Sequence, residues 1–408
     1  MRLLSIIGSN IFSGPHNHDL RLNRALAQAG IETIILLPDE PGDASERLRG
    51  KGMKVLEYPS NRTGGVASSA MAHVKYLAAL RQNIRVVRCA IREFDIDLVQ
   101  LADPFHPHGA FAAKLEKRPV VAHLIGMGGS LGARIMASQL TCRLADVLLT
   151  NGIKTRDAYP GLKKHPLRMF SYFSPIDMNE FRRDQAVRRK ARSILGIRDD
   201  EIAIGYIARL NPEKDHHTCI RASAAIRRRF PHVRFIMMGG VHPGADGYLD
   251  DLRATASSLG LAFGKDVLHV DAGANVAKLA QAFDLAWSTG VQEGATSAVG
   301  EAMALGIPVI GTGNSAVREM IEHGVSGFLV GVRRPEELVN ASIPLVENQI
   351  LREKMGRAAR QRAEDLFSTE LCAATHLQAY ETALSRRHGA TGRNQDRDMA
   401  QGSAFLDS

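Results

Sequence analysis

Short, mostly apolar runs alternate with longer amphipathic stretches along most of the chain. In the first half the runs are Leu3–Ile7, Thr33–Leu37, Asp97–Leu101, Val120–Ile125 and Val147–Thr150. The second half starts the pattern again with Ile202–Ile207, Arg234–Met238, Val267–Val270, Asp284–Ser288 and Pro308–Gly311. Runs this short, without strict alternation, fit strands covered on both faces, and the helix-period stretches between them supply the covers. Such βαβα order predicts an α/β protein of two doubly wound, Rossmann-like domains facing across a cleft. The basic, polar stretch DQAVRRKAR (184–192) places the boundary near residues 176–200, giving domains 1–180 and 181–385. Residues 386–408 are rich in Gly, Arg, Asp, Ser and Asn without apolar periodicity, the pattern of a disordered tail.

Composition narrows the setting. A chain of 408 residues exceeds the size at which one core keeps growing, and a hydrophobic content of 45% can fill two. The net charge of +9 favours anionic partners such as phosphates or an acidic membrane surface. Nucleic acid is disfavoured, since aromatics make up only 5% and no recognised module is present. Cys89, Cys142, Cys219 and Cys372 form no CxxC pair, which argues against a zinc site or a secreted disulfide framework and for a reducing cytoplasm. The apolar start breaks at Gly8, too soon for a signal peptide, and no uncharged run is long enough to span a bilayer.

Two clusters could do chemistry. The run Ile202–Ile207 leads to Arg209 and a turn carrying Lys214, two cations at the carboxyl end of a strand, where open α/β sheets bind ligands. A guanidinium fork and a mobile ammonium suit a diphosphate, although the pair taken alone reads better as a solvated surface turn. Glu293 lies beyond the carboxyl end of the run DLAWS (284–288) and precedes a helix pattern carrying Glu301. With part loop and part helix between them, the two carboxylates should lie about 10 Å apart, wide for a glycosidase pair and suited to two hydroxyl groups of one long ligand. Ala295, Thr296 and Ser297 would point backbone N–H groups at an anion. Singly, Glu293 is equally a loop acid and Glu301 an exposed helix residue.

Together these residues carry a resemblance. From Ile202 to about Ala383 the chain resembles the retaining glycosyltransferases of family 4, which have the GT-B fold. The elements are GYIARLNPEK (205–214), FDLAWSTGVQEGATSAVGEAMALGIPVIGT (283–312), EMIEHGVSGFLV (319–330) and LREKMGRAARQRAEDLFS (351–368). The amino-terminal half matches more loosely, through SGPHNHDLRLNRALAQAGIETIILLP (13–38), FDIDLVQLADPFHPHGAFAA (94–113) and SPIDMNEF (174–181). The resemblance implies that Arg209 and Lys214 hold the donor diphosphate, Glu301 the ribose, and Glu293 with the following N–H groups the sugar and phosphate. It implies that Gly14, in the loop after the first strand, lets the backbone approach the diphosphate. It further implies transfer from a nucleotide sugar with retained configuration to a glycan or lipid-linked acceptor, with no cofactor and no catalytic metal.

The resemblance has one gap. Relatives carry a sugar-side histidine where this chain has Ile125. His123, two residues earlier on the same strand face, is the candidate substitute and equally a core histidine; His106 and His108 are further candidates. GMGGSLG (126–132) fails the dinucleotide fingerprint, because Leu131 stands where the third glycine belongs, and reads as an acceptor-side loop. Arg81, Arg85, Arg88 and Arg92 share one face of an amphipathic helix spanning 73–94, which could rest on anionic lipid or be an ordinary solvated face. The expectation is a cytoplasmic enzyme, soluble or peripheral on the inner face of the membrane. The alternatives are a GT-B nucleotide-sugar epimerase or phosphorylase, or a non-catalytic subunit that binds a glycan or nucleotide sugar.

Overall fold

The computed structural model describes the chain except for residues 60–69, 103–106, 125–130, 158, 160–167, 243–244, 246, 292–295, 314–315 and 389–408. Two compact units result, one of Met1–Phe173 joined by the chain from Glu370, the other of Ser174–Thr369.

The first unit holds a seven-stranded sheet of β1 Arg2–Ile6, β2 Glu32–Pro38, β3 Lys54–Tyr58, β4 Leu98–Leu101, β5 Val120–Leu124, β6 Val147–Asn151 and β7 Met169–Tyr172. The order is β3-β2-β1-β4-β5-β6-β7 and every pairing is parallel. The second unit holds β8 Ile202–Ile207, β9 Val233–Met238, β10 Val267–Val270, β11 Leu285–Ser288, β12 Val309–Thr312 and β13 Gly327–Val330, ordered β10-β9-β8-β11-β12-β13 and again parallel. Both units are Rossmann-like. In each, strand order reverses beside the first strand, between β1 and β4 and between β8 and β11, and the crevice outside the carboxyl ends there is where such sheets take ligands.

Helices cover both faces because the central strands are apolar on both sides: all five residues of β5 and all six of β9 are buried. In the second core the Trp287 indole donates to Ser342 Oγ at 3.0 Å and its ring lies 5.2 Å from that of Phe235. Gly205 is obligatory in β8, since a Cβ there would lie 2.1 Å from the Phe283 ring. The helix Ser297–Ala304 ends at Gly306, whose φ of +67° favours glycine. A Cβ on Gly356 would sit 2.3 Å from Gly306 O, so the helix Gln349–Phe367 lies close against that turn.

The domain limits differ from the expected ones. The division falls at Phe173/Ser174, and the last helix, Thr369–His388, joins the first unit instead of the second. Its Cys372, Ala373, Ala379, Tyr380 and Ala383 form one apolar stripe that packs with Leu3, Leu22, Leu98, Val121, Val147 and Tyr172, covering a face of the first sheet. Residues 386–388 of the expected tail continue this helix; the rest lie outside the described residues.

Candidate functional site

At the switch point of the second sheet, the chain leaving β8 is fixed before it delivers its cations. Ala208 N donates to Met238 O at 3.0 Å and Leu210 N to Gly240 O at 2.9 Å, which continues the parallel ladder past the strand end. Gly239 allows this, because a Cβ there would lie 2.2 Å from Ala208 O. Arg209 therefore projects from a fixed backbone and is exposed.

Lys214 closes a short 3₁₀ turn, Pro212–Lys214, whose cap is the Asn211 side chain accepting from Lys214 N at 3.1 Å. Its carbonyl takes the Tyr206 hydroxyl at 2.9 Å and the Thr289 hydroxyl at 3.0 Å. Asp215 follows with a left-handed φ of +51° and caps the helix His216–Arg229, one carboxylate oxygen accepting from Thr218 N at 3.4 Å and the other from Thr218 Oγ1 at 2.6 Å. Thr289 Oγ1 also lies 3.1 Å from Asp215 O and 3.2 Å from Cys219 Sγ, so its proton is shared between two carbonyls while the thiol donates to it. Val291 N donates to Glu213 O at 2.9 Å and Thr312 Oγ1 to Gly290 O at 2.8 Å. The loops after β8, β11 and β12 are thus laced into one platform. Tyr206 and Thr289 were not singled out from the sequence, where each looks like an ordinary strand-end residue.

Glu301 lies on the helix that follows this platform. Only 7% exposed, it is no solvated surface acid. Thr296 is the extended N-cap of that helix and makes no side-chain cap, and Ser297 is its first residue, both half-buried. Arg209, Lys214, Thr296, Ser297 and Glu301 therefore all follow the carboxyl ends of the neighbouring strands β8 and β11. Glu293 and Ala295 lie outside the described residues.

His216, next to Lys214 and Asp215, is wholly buried against the Tyr206 ring, with both ring nitrogens lacking a partner. Burial, then the nearby Lys214 charge, lower its pKa to about 3, so it is neutral. It too was missed; the adjacent pair His216-His217 after Lys214 was the available signal.

In the first unit, Gly14 is the first residue of the helix Gly14–Gln28 and not part of a loop, with Ser13 as N-cap. It is exposed, and a Cβ there would meet no atom within 4 Å. His123 is interior: it is 1% exposed, its Nδ1 lies 2.9 Å from Tyr172 Oη, and the rings of His18 and His376 flank it at 5.5 and 5.3 Å. His108 is likewise buried, its Nε2 3.0 Å from Tyr58 Oη. His106 and most of the glycine run, Gly126–Ser130, lie outside the described residues. Of the basic stripe on the helix Ala70–Glu93, Arg88 and Arg92 both grip Glu116, at 2.5 and 2.8 Å, while Arg81 and Arg85 stand exposed.

Comparison with known proteins gives this geometry a context. Residues 187–362, which lie within the second unit, match the model of the family Glycosyl transferases group 1. A D-inositol 3-phosphate glycosyltransferase of Nocardioides sp. is 26% identical over 262 residues, which cover 62% of this chain and 57% of the relative. A GDP-mannose-dependent alpha-mannosyltransferase of Mycobacterium tuberculosis is 26% identical over 369 residues, covering 86% of this chain and 88% of the relative. The chain thus spans between 57% and 60% of the length of three inositol-phosphate relatives. Among solved structures, Anabaena HepE in complex with UDP superposes with a TM-score of 0.79 at 21% identity, covering 94% of this chain and 100% of that one. WaaG, a glycosyltransferase involved in lipopolysaccharide biosynthesis, gives 0.66 at 16% identity over 94% and 99%. The fold is that of GT-B glycosyltransferases.

Proposed function

We propose that the protein is a retaining glycosyltransferase that moves a hexosyl group from a nucleotide sugar to a glycan or lipid-linked acceptor, in the assembly of a cell-surface polysaccharide or glycolipid. The observation that carries this reading is the clamp on the Lys214 carbonyl by Tyr206 and Thr289, which aims a cation from the switch point of a group 1 domain. Arg209 and Lys214 would hold the diphosphate and stabilise the charge that grows as the bond from anomeric carbon to phosphate oxygen breaks. No metal is then needed at that site. Glu301 would accept from the ribose hydroxyls; Glu293 and the N–H groups of Ala295, Thr296 and Ser297 would bind sugar and phosphate, with Gly14 leaving room for the diphosphate.

In a front-face route the acceptor hydroxyl attacks on the side from which the diphosphate departs. The departing phosphate oxygen takes the hydroxyl proton, so the configuration is kept and no protein base is consumed. The names of relatives and structural neighbours, which include GDP-mannose and UDP, favour a nucleotide donor without choosing its base. No helix among the described residues is long and apolar enough to cross a membrane. A cytoplasmic enzyme resting on the inner membrane face through Arg81 and Arg85 fits this reading.

The test is a thermal-shift panel of UDP, GDP and ADP, followed by transfer assays with the sugar derivatives of the stabilising nucleotide. A ligand at about 100 times its Kd should add roughly 2.7 kcal/mol of stability. Lys214→Ala should retain the fold and lose transfer; wild-type turnover by that variant would overturn the site. Nucleotide release without glycoside product would point to an epimerase or hydrolase instead.

A further inference from the structure

The most polar part of the first core takes no part in the proposed reaction. His18 on the helix Gly14–Gln28 faces Cys372 and His376, which lie four residues apart on one face of the last helix. They are 5%, 3% and 0% exposed. One ligand atom from each lies within 4.8 Å of the other two. The two Nε2 atoms of His18 and His376 are 3.0 Å apart, each aimed at the other.

Two further observations separate this cluster from ordinary packing. First, His376 Nδ1 donates to Cys372 O at 2.7 Å, which leaves its Nε2 as a lone pair, the arrangement in which a metal-bound imidazole is held by a backbone carbonyl. Second, His123 Nε2 is buried without any partner, an arrangement that costs about 1–3 kcal/mol unless something else offsets it.

We propose that His18, Cys372 and His376 bind one first-row divalent ion, Zn²⁺ foremost, which fastens the last helix to the first unit. Two imidazoles and one thiolate are borderline-soft ligands that favour Zn²⁺ or Co²⁺ over Mg²⁺ or Ca²⁺. Tetrahedral bonds of about 2.0–2.3 Å set ligand atoms roughly 3.3–3.6 Å apart, so the histidines part by a few tenths of an ångström while Cys372 Sγ, 3.7 Å from His376 Nδ1, turns towards the Nε2 side. Binding releases the Cys372 thiol proton, and the proton between the two Nε2 atoms moves to His18 Nδ1. The fourth position goes to a water whose hydrogen bond satisfies His123 Nε2.

The remaining positive charge has a counterpart. Asp19, buried beside His18 in the chain, accepts from Ser5 Oγ at 2.6 Å and Gln100 Nε2 at 3.2 Å, and Gln100 Oε1 takes the Tyr380 hydroxyl at 2.6 Å. The Tyr380 ring in turn meets that of His376 at 6.0 Å. Thiolate and carboxylate together cancel the ion's charge. Cysteine spacing could not reveal the site, because its ligands come from opposite ends of the chain.

The test uses the full-length protein, stripped with a chelator and dialysed against Zn²⁺ or Co²⁺. It should retain one equivalent, melt about 5 °C higher, and show with Co²⁺ a thiolate charge-transfer band. Cys372→Ser should lose the band and His376→Gln the ion. Hydrogen exchange in residues 369–388 of the wild type should slow on Zn²⁺ addition, a readout that stands even if the variants fail to fold. No retained ion at tenfold excess, retention unchanged in both variants, or unchanged exchange in the last helix would overturn the proposal. None of these readouts depends on sugar transfer.

Discussion

The hydroxyl of Thr289, one residue past β11, donates at 3.0 Å to the carbonyl of Lys214, in the turn that follows β8. Two loops 75 residues apart in sequence are joined by it at the point where strand order reverses. Thr289→Val keeps the shape and removes the donor. Stability should fall by about 1–2 kcal/mol, the cost of leaving a buried carbonyl under-satisfied. If the tie aims Lys214, kcat should fall about tenfold with KM changed much less, since a displaced catalytic cation costs transition-state stabilisation. Steady-state assays beside a denaturant melt check this; lost stability with unchanged kcat would reduce Thr289 to a structural role.

Glu301 is buried at 7% exposure on a short helix, and Gln is its nearest neutral equivalent. Glu301→Gln should weaken nucleotide binding roughly tenfold, as a charged acceptor for the ribose becomes a neutral one. Calorimetric titration measures it, with circular dichroism confirming the fold. Unchanged affinity would remove Glu301 from the ribose site.

The folded pKa of His216 lies near 3, depressed by burial and by Lys214, against about 6.5 in the unfolded chain. Below pH 6.5 the unfolded chain therefore binds a proton that the folded ring refuses. The stability that goes with the neutral ring is complete above pH 6.5 and is lost as pH falls towards 3, with a slope of up to about 1.4 kcal/mol per pH unit. His216→Phe should fold and show a shallower decline between pH 6.5 and 4. Denaturant melts at pH 7.5, 6 and 5 compare the two, and identical slopes would contradict the assignment.

Hydrogen bonds from Arg92 and Arg88 hold the Glu116 carboxyl at a pKa of about 2, so it is ionised at every physiological pH. Arg88 and Arg92, two of the four stripe arginines, share that single negative charge, which cancels one of their two positive ones. Glu116→Gln removes one negative charge from this face and should tighten binding to phosphatidylglycerol vesicles roughly fivefold, an effect lost in high salt. Co-sedimentation reads this directly; equal binding by both proteins would mean the face does not meet lipid.

All ten apolar runs read from the sequence appear as strands, to within a residue or two at their ends. The three that escaped, β3 Lys54–Tyr58, β7 Met169–Tyr172 and β13 Gly327–Val330, are each at an edge of a sheet. An edge strand is covered less completely, so Lys54, Glu57 and Ser171 can interrupt the apolar run that marks a central one. The positions of Arg209 and Lys214, the candidate cations, were legible because both follow a recognisable strand. What fixes them was not: Thr289 reaches Lys214 only after β11 has paired with β8, a contact no local pattern encodes. His123 misled because strand alternation tells which face a side chain takes, and not how deep that face lies beneath a helix added at the far end of the chain.

That late helix also sets an order of events during synthesis. Residues 174–369, with both flanks of their sheet, leave the ribosome before Cys372, Tyr380 and Ala383 do. The middle of the polypeptide can complete its core while the beginning, already emerged, still lacks one wall. The amino-terminal sheet must wait with Leu3, Leu22 and Val121 uncovered until that helix emerges, and is open to aggregation in the meantime.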